Sequence, residues 1–180
     1  MANRGFPASL RRFVLVTSCS LLLSEMTVTI NASATEPLKV IGIQAKLFFE
    51  GTGTFSGDVL ADRAVSLWNT PIGEGSAGAP SSSTLILVEV TGPPNTTEHE
   101  RRVSFTANYK SGIVNADGKA EMRNVGIKQV VSIGHFGQSG KSYVAFWLYD
   151  TGCTPVSVSA KITGQSQTPM EKTIVFRCGE

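Results

Sequence analysis

The sequence has few of the residues on which enzymatic chemistry usually depends. It contains two histidines, His99 and His135, and three cysteines. A catalytic triad would have to recruit one of these histidines, and no recognisable partner stands beside either. No helix-borne zinc motif occurs, and the aspartates are scattered singly rather than in the Asp-x-Asp clusters that bind calcium. We therefore expect a protein that is not an enzyme and holds neither a metal nor a cofactor.

Residues 35–180 also lack an excess of either charge. Three of the sixteen basic residues and one of the fourteen acidic ones lie in the first 34 residues, which leaves thirteen of each. A protein that binds nucleic acid usually presents a basic face. The balance of charges therefore argues against a nucleic-acid partner.

No long helical period and no internal repeat is evident in the chain. Many Ser, Thr and Val residues in short runs, together with eighteen glycines and eight prolines, favour an all-β protein. About eight segments with strand patterns follow one another at the spacing of antiparallel sheets. The predicted fold is an antiparallel two-sheet sandwich, immunoglobulin-like in architecture, with a closed β-barrel as the alternative. The cysteine, tryptophan, cysteine order of true immunoglobulin domains is not matched, because Trp147 precedes both later cysteines.

Alternating apolar and polar residues locate the strands. The region from Asp58 to Trp68 fits either a strand with an irregular start, which we favour, or a single helical turn that leads into a strand. Two segments are nearly apolar on both faces and are predicted to be central strands, with Trp147 in the core. Glu98–Arg102 is predicted to be a solvated edge. The predicted strands are Leu38–Phe49, Asp58–Trp68, the central Thr84–Thr91, Val103–Tyr109, one or two strands within Ala120–Ile133, the central Lys141–Tyr149, Val156–Ile162 and Thr173–Cys178.

The first 34 residues have the features of a secretory signal peptide. A basic start with three arginines precedes an apolar run from Phe13 to Leu23, and Ala32-Ser33-Ala34 is a small-residue cleavage site. The apolar run is too short to span a bilayer, and Cys19 lies at the wrong end of it for lipidation. We expect cleavage before Thr35, export to the periplasm or the extracellular space, no stable membrane insertion afterwards, and one domain over residues 35–180.

Two cysteines remain once the leader is removed, Cys153 and Cys178. In an oxidising compartment they are expected to form a structural disulfide. The bond would close a loop of about 26 residues, which the chain-entropy model values at roughly 3.5 kcal/mol. A redox-active pair normally has its two cysteines close together in sequence, so that role is disfavoured.

Candidate ligand-binding residues lie in or beside two loops. The stretch from Asn69 to Ser83 is longer than an ordinary hairpin loop, and loops of that length often carry function. It supplies Asn69 and Glu74, and the adjacent Trp68 could line a platform for a glycan. The second loop, Gly134–Gly140, supplies His135 and Phe136. These five residues are the predicted ligand-binding set, and a shared pocket requires the two loops to meet at one end of the fold.

These features favour an exported, non-enzymatic binding or interaction module with a protein or glycan partner. Two alternatives remain open, a structural accessory domain of the cell envelope and a hydrolase that uses His135. The oligomeric state is not specified. Asn95-Thr96-Thr97 fits the acceptor pattern for N-glycosylation, which would apply in a eukaryotic host, whereas in a bacterium the segment would only be a turn.

Overall fold

The computed structural model describes residues 37–61, 67–68 and 78–177. Within these residues the chain is all-β, with no helix. No described helix, accordingly, is long and apolar enough to cross a membrane. The strands are β1 (Lys39–Phe49), β2 (Thr54–Phe55), β3 (Leu67–Trp68), β4 (Ser83–Thr91), β5 (Thr97–Val114), β6 (Ala120–His135), β7 (Lys141–Tyr149), β8 (Val156–Ile162), β9 (Met170–Ile174) and β10 (Phe176–Arg177).

The described strands form three sheets. One four-stranded sheet has the order β2-β1-β4-β7 and the other has the order β6-β5-β8-β9, and every pair in both is antiparallel. A small third sheet pairs β10 with β3 in parallel. None of the three closes into a barrel over the described strands. The all-β antiparallel prediction is confirmed, and the closed-barrel alternative is wrong.

Period-two burial explains why β1 and β4 form where the sequence predicts them. Ile43, Ala45 and Leu47 of β1 are buried, whereas the residues between them are only partly covered. The register places Ile43 opposite Val88 and Ala45 opposite Ile86, so the buried faces of the two strands coincide. β4 lies between β1 and β7, which confirms it as a central strand.

The glycine-rich segment after β1 is a turn, as predicted. The N–H of Gly53 donates to the carbonyl of Phe49 at 2.8 Å, and Gly53 has a φ of 67°, a conformation that glycine adopts without strain. After β2, residues 58–61 are turn or irregular, and residues 62–66 lie outside the described part of the chain. The described residues agree with the predicted irregular start of the Asp58–Trp68 segment, and its described strand portion is β3 alone.

β7 has the predicted bounds but not the predicted position. It lies at the edge of its sheet among the described strands, not at the centre. Ser142, Val144, Phe146 and Leu148 are buried, and the residues between them face outwards. Trp147 belongs to the outward set and is only half-buried, so its predicted place in the core is wrong. Both faces of β7 carry large apolar side chains, so the alternation between buried and exposed residues could not be seen in the sequence.

β5 and β6 form one hairpin that is longer than the sequence indicated. The predicted Asn115–Gly118 turn connects them, with the N–H of Gly118 donating to the carbonyl of Asn115 at 2.8 Å. β6 runs unbroken from Ala120 to His135, so the prediction of shorter strands is wrong. Residues 121–132 of β6 are exposed or half-buried, so cross-strand backbone hydrogen bonds to β5 define this strand rather than a buried face of its own.

The charged run Glu98–Arg102 lies inside β5 and is not a simple solvated edge. The β5–β6 register shifts between Glu98 and Arg102, as at a β-bulge. The carboxylate of Glu98 accepts the backbone N–H groups of Glu100 and Arg101 at 2.9 and 3.1 Å. The guanidinium of Arg101 lies 2.7 Å from the same carboxylate. One side chain therefore satisfies the donors that the irregularity removes from the ladder.

A single buried hydrophobic cluster takes residues from both four-stranded sheets. Phe105 of β5 and Phe146 of β7 stack with ring centroids 4.4 Å apart and an interplanar angle of 13°. Val103 and Ala107 flank Phe105 on the same face of β5 and are fully buried. The inner faces of the two sheets therefore share one core.

Candidate functional site

The described parts of the two predicted loops lie at opposite ends of β4 and do not meet. Before β4, the carbonyl of Ser82 accepts the N–H of Thr151 at 3.0 Å. After β4, the N–H of Gly92 donates to the carbonyl of Gly140 at 2.9 Å. β4 has nine residues, and a strand rises about 3.3 Å per residue, so these contacts are roughly 30 Å apart. The described parts of the two loops therefore do not line one pocket.

His135 and Phe136 have different environments at the Gly140 end. His135 is exposed, and its Nδ1 lies 3.3 Å from the Thr97 hydroxyl. Phe136 is 1% exposed and belongs to the core. A Cβ at Gly92 would lie 2.7 Å from its ring, which shows how closely the chain packs there. The prediction that Phe136 contacts a ligand is corrected, because its ring is closed off from solvent.

Of the remaining predicted residues, one lies on the small parallel sheet and two lie outside the described residues. Trp68 is exposed on β3, and the guanidinium of Arg177 lies 5.7 Å from the centre of its ring, a cation–π distance. Asn69 and Glu74 fall outside the described residues. Asn95 is exposed in a turn with a φ of 55°. Ligand binding at Trp68, Asn69 and Glu74 and glycosylation at Asn95 stay predictions.

Four aromatic side chains cluster on the outer surface of the β2-β1-β4-β7 sheet, and we call this cluster the aromatic face: Phe48, Phe55, Trp147 and Tyr149. The Phe48 ring lies 5.3 Å from Phe55 and 5.7 Å, edge-on, from Trp147. The rings of Trp147 and Tyr149 are nearly parallel, with centroids 6.4 Å apart. Tyr149 is 62% exposed. The contacts hold these rings together at the surface.

Strand register assembles this cluster from three strands, β1, β2 and β7. Phe48 pairs with Phe55 across the β1–β2 hairpin and with Ser83 across β4. Ser83 in turn pairs with Tyr149 of β7. Because directly opposite residues share a face, all these side chains point outwards. The small, buried Ser83 between larger neighbours leaves room for the rings of Phe48 and Tyr149.

A cavity of about 460 Å³ opens at the same end of the sheet, and we call it the end cavity. Hydroxyl, lysine and carboxylate groups supply its polar lining, and Met122 an apolar part. The charged groups are Lys110 of β5 and Asp150, which follows Tyr149 directly. The described lining residues are Ser82, Lys110, Ser111, Gly112, Met122, Asp150, Thr151, Cys153 and Thr154.

Hydrogen bonds hold the β7–β8 connection in place around the end cavity. The Thr154 hydroxyl donates to the carbonyl of Lys110 at 2.6 Å and lies 3.2 Å from the N–H of the same residue. The buried hydroxyls of Thr84 and Thr151 are 2.7 Å apart. Both the start of β4 and the middle of β5 are therefore tied to this connection.

Tyr109 and Glu50 anchor the two sides of the aromatic face. The Tyr109 hydroxyl donates to the carbonyl of Tyr149 at 2.8 Å. Burial, and then the negative charge of Asp150, raise the pKa of Tyr109, so the hydroxyl keeps its proton. The Glu50 carboxylate accepts the N–H and hydroxyl of Ser82 at 3.1 and 2.8 Å. Burial would raise the pKa of Glu50, but hydrogen bonds from its own backbone and from Ser82 leave it below its ordinary value.

The chemistry available at this end is recognition by ring contacts and hydrogen bonds. The end cavity offers hydroxyl groups with one cation and one anion, and the aromatic face offers exposed apolar area. Among the described residues, no group of three or more His, Cys, Asp or Glu side chains could hold a metal ion. Whether the chain uses a metal, a cofactor or an enzymatic reaction is untested by this geometry, and the expected absence of all three stays a prediction.

Cys153 lies in the wall of the end cavity. Cys178, its expected partner, lies outside the described residues. β8 and β9 pair antiparallel with Val156 opposite Ile174. That register brings the chain after Ile174 back towards the residues before Val156, the segment that contains Cys153. The Cys153–Cys178 pairing stays a prediction, and the register is compatible with it.

Sequence reasoning missed the aromatic face although the signal was present. Phe48 is out of phase with Ile43, Ala45 and Leu47, and Trp147 is out of phase with Phe146 and Leu148, as outward residues must be. The convergence of these three strands depends on register and could not be read from local pattern. Comparison with known protein families and with characterised proteins finds no match for this chain.

Proposed function

We propose that this chain is an exported, non-enzymatic β-sandwich that binds a protein partner through the aromatic face. The sandwich assignment is supported by the core shared between the two four-stranded sheets and by the Phe105–Phe146 stack. Export is supported by the signal-peptide pattern of the first 34 residues.

One observation carries the binding proposal: a contiguous cluster of aromatic rings on an outer sheet surface. Phe55 and Tyr149 are exposed although both are large, and Trp147 is covered only in part. Tryptophan and tyrosine are enriched where protein interfaces contribute most to affinity, and clustered apolar groups at a surface often mark an interaction site. The adjacent end cavity supplies polar groups that could hydrogen-bond at the rim.

β7 provides a matched pair of variants for the test. Tyr149 and Tyr143 lie on the outer face of the same strand and are 62% and 50% exposed, but Tyr143 is four positions from Trp147 and six from Tyr149, outside the aromatic face. Affinity capture from an extract of the native compartment would compare the wild type with Tyr149→Ala, Trp147→Ala and Tyr143→Ala. We expect the wild type and Tyr143→Ala to capture the same partner protein equally well. Tyr149→Ala and Trp147→Ala should bind that partner about tenfold more weakly.

Equal capture by Tyr149→Ala and Tyr143→Ala would contradict the proposal, provided circular dichroism shows both variants folded. A glycan array run on the same variants tests the other partner class. Glycan binding that depends on Trp147 and Tyr149 would replace the protein partner with a glycan and keep the surface. The nearly parallel rings of Trp147 and Tyr149 are the observation that favours this second candidate.

Two other functions are separated by simple outcomes. If the folded protein binds neither a protein nor a glycan in these assays, the structural accessory domain would be favoured. If His135→Ala abolishes the protein's activity in vivo and Tyr149→Ala leaves it unchanged, the hydrolase would be favoured. His135 is exposed at the opposite end of the sheets from the aromatic face, so the two variants report on separate regions.

A further inference from the structure

β6 presents a long outer edge on the sheet that does not carry the aromatic face. Among the described strands, β6 pairs only with β5. Met122 and Val130 on its outer face are 49% and 46% exposed, and Val131 on its other face is exposed as well. The edge ends at Ile133, whose carbonyl accepts the Ser142 hydroxyl at 2.9 Å. We call residues 120–132 the free edge.

The half of the hairpin nearest its turn has little support in a single copy. β5 pairs with β8 only from Val103 to Asn108. Beyond Asn108, the hairpin strands pair with no other described strand, although hydrogen bonds join Tyr109 to Tyr149 and Lys110 to Thr154 on the β5 side. A two-stranded ribbon is marginally stable in water, and a third strand is usually needed to stabilise it. Residues 120–125 of β6 are therefore the part that gains most from an added strand.

We propose that the free edge pairs antiparallel with the free edge of a second copy of this chain, about a two-fold axis at Gly126. The axis would join the two β6-β5-β8-β9 sheets into one continuous sheet. Such a contact is isologous, so each copy satisfies the other and the assembly closes as a dimer. Pairing at an exposed strand edge is a common mode of recognition.

The two-fold axis restricts which registers are possible, and the sequence of β6 favours one. An axis perpendicular to the sheet keeps each side chain on its own face, so opposite residues have numbers of equal parity. With Gly126 opposite its own copy, Met122 lies opposite Val130, so two exposed apolar side chains cover each other. On the same face Asn124 lies opposite Lys128. Gly126 places no side chain at the axis, where each residue would lie opposite its own copy.

The opposite face of the free edge supports the same register. Val125 lies opposite Ile127, and both are half-buried in one copy. Arg123 lies opposite Gln129, so no like charges are opposed. Moving the axis by one residue loses these matches. An axis at Val125 places Lys128 opposite Met122 and Arg123 opposite Ile127, and an axis at Ile127 places Val130 opposite Asn124.

The length of the overlap agrees with the available edge. An axis at Gly126 pairs residue 120 of one copy with residue 132 of the other, so pairing stops just before Ile133, whose carbonyl is already engaged. The poorly supported residues 120–125 then pair with residues 127–132 of the partner. Most of that segment lies beside the part of β5 that β8 backs. The supported half of each hairpin therefore stabilises the exposed half of the other.

Single-cysteine variants of the exported chain test the register directly. Gly126→Cys places a thiol opposite its own copy, and the nearest atom to a Cβ there is the Asn108 side-chain oxygen at an ordinary 3.5 Å. Under mild oxidation we expect it to form a covalent dimer on the order of tenfold faster than Asn124→Cys or Lys128→Cys alone. An equimolar mixture of Asn124→Cys and Lys128→Cys should cross-link to each other. Equal rates for the three single variants would overturn the register.

A pair of charge variants tests the dimer without cysteines. Met122→Lys combined with Val130→Glu places opposite charges across the axis and should stay dimeric in analytical ultracentrifugation. Met122→Lys combined with Val130→Lys places like charges there and should be monomeric over the same concentrations. Both double variants change exposed side chains, so each chain should fold. A wild type that is monomeric at its highest soluble concentration, or identical behaviour of the two double variants, would overturn the proposal.

Discussion

At the residue scale, Gly92 lies where three segments of the chain approach most closely. A Cβ at this position would be 2.5 Å from a methyl carbon of Leu38 and 2.7 Å from the ring of Phe136. Both neighbours are buried, so neither can move aside into solvent. The absence of a side chain at residue 92 therefore allows the loop before β7 to close over the end of β4.

Gly92→Ala should destabilise the protein by about 2 kcal/mol, because overpacking a closed core forces neighbouring side chains out of their preferred rotamers. Urea unfolding followed by circular dichroism measures the change. Gly51→Ala is the matched control, since a Cβ there meets no atom within 4 Å. Similar stabilities for the two variants would show that the contact around Gly92 relaxes freely.

Glu98 is the second residue whose role depends on its three-dimensional contacts. Its pKa lies below the ordinary value of 4.5, chiefly because the N–H of Arg101 donates to the carboxylate. A lowered pKa means that the charged form is favoured in the folded state. The stabilisation is therefore complete above about pH 4.5 and is lost as the pH falls through the lower folded-state pKa.

Glu98→Gln should lower the free energy of unfolding by about 1 kcal/mol at neutral pH, because the charged acceptor of the bulge is lost. The difference from the wild type should shrink as the pH falls below the ordinary range of glutamate. Chemical denaturation at neutral and acidic pH measures both effects. Glu100→Gln makes the same change in net charge on a neighbouring exposed residue, and a pH dependence equal to that of Glu98→Gln would refute the assignment.

At the element scale, β8 and β9 bring the end of the chain back to the β7–β8 connection. Cys153 lies in that connection, and β10 leads directly into Cys178. A bond between the two would tie the last described strand to the wall of the end cavity. The same bond would restrain Asp150, which directly follows Tyr149 of the aromatic face.

Mass spectrometry of the unreduced exported protein should show Cys153 linked to Cys178. Replacing both with serine should lower stability by roughly 2–3.5 kcal/mol, because the unfolded chain gains the entropy of an open loop. Two free thiols in the native protein would refute the pairing. Thermal unfolding of the wild type with and without reductant is the control, and reduction should reproduce the effect of the double variant.

At the scale of the whole molecule, the two proposed surfaces lie on different sheets. The aromatic face belongs to the β2-β1-β4-β7 sheet, and the free edge belongs to the β6-β5-β8-β9 sheet. Free-edge variants at Asn124, Gly126 and Lys128 can therefore serve as controls for the aromatic face, whereas Met122 also lines the end cavity. A dimer joined through the free edge would also present two aromatic faces to a partner, so a multivalent partner would bind more tightly than a single contact allows.

Local pattern was sufficient for much of the fold. The alternation in Leu38–Phe49 and Val156–Ile162 predicts strands that the structure contains, because period-two burial is a local consequence of strand geometry. The apolar run Thr84–Thr91 likewise predicts β4. The turn at Asn115–Gly118 is likewise a property of the residues that form it. Composition was enough to predict an all-β chain with antiparallel sheets.

Strand order and register required the folded chain, because both depend on contacts between residues far apart in sequence. Nothing local distinguishes Trp147 from Phe146, yet pairing with β4 directs one to the surface and the other to the core. The unbroken length of β6 likewise depends on hydrogen bonds to β5 rather than on its own residues. The aromatic face and the free edge arise from such pairings, so they could be recognised only once the sheets had formed.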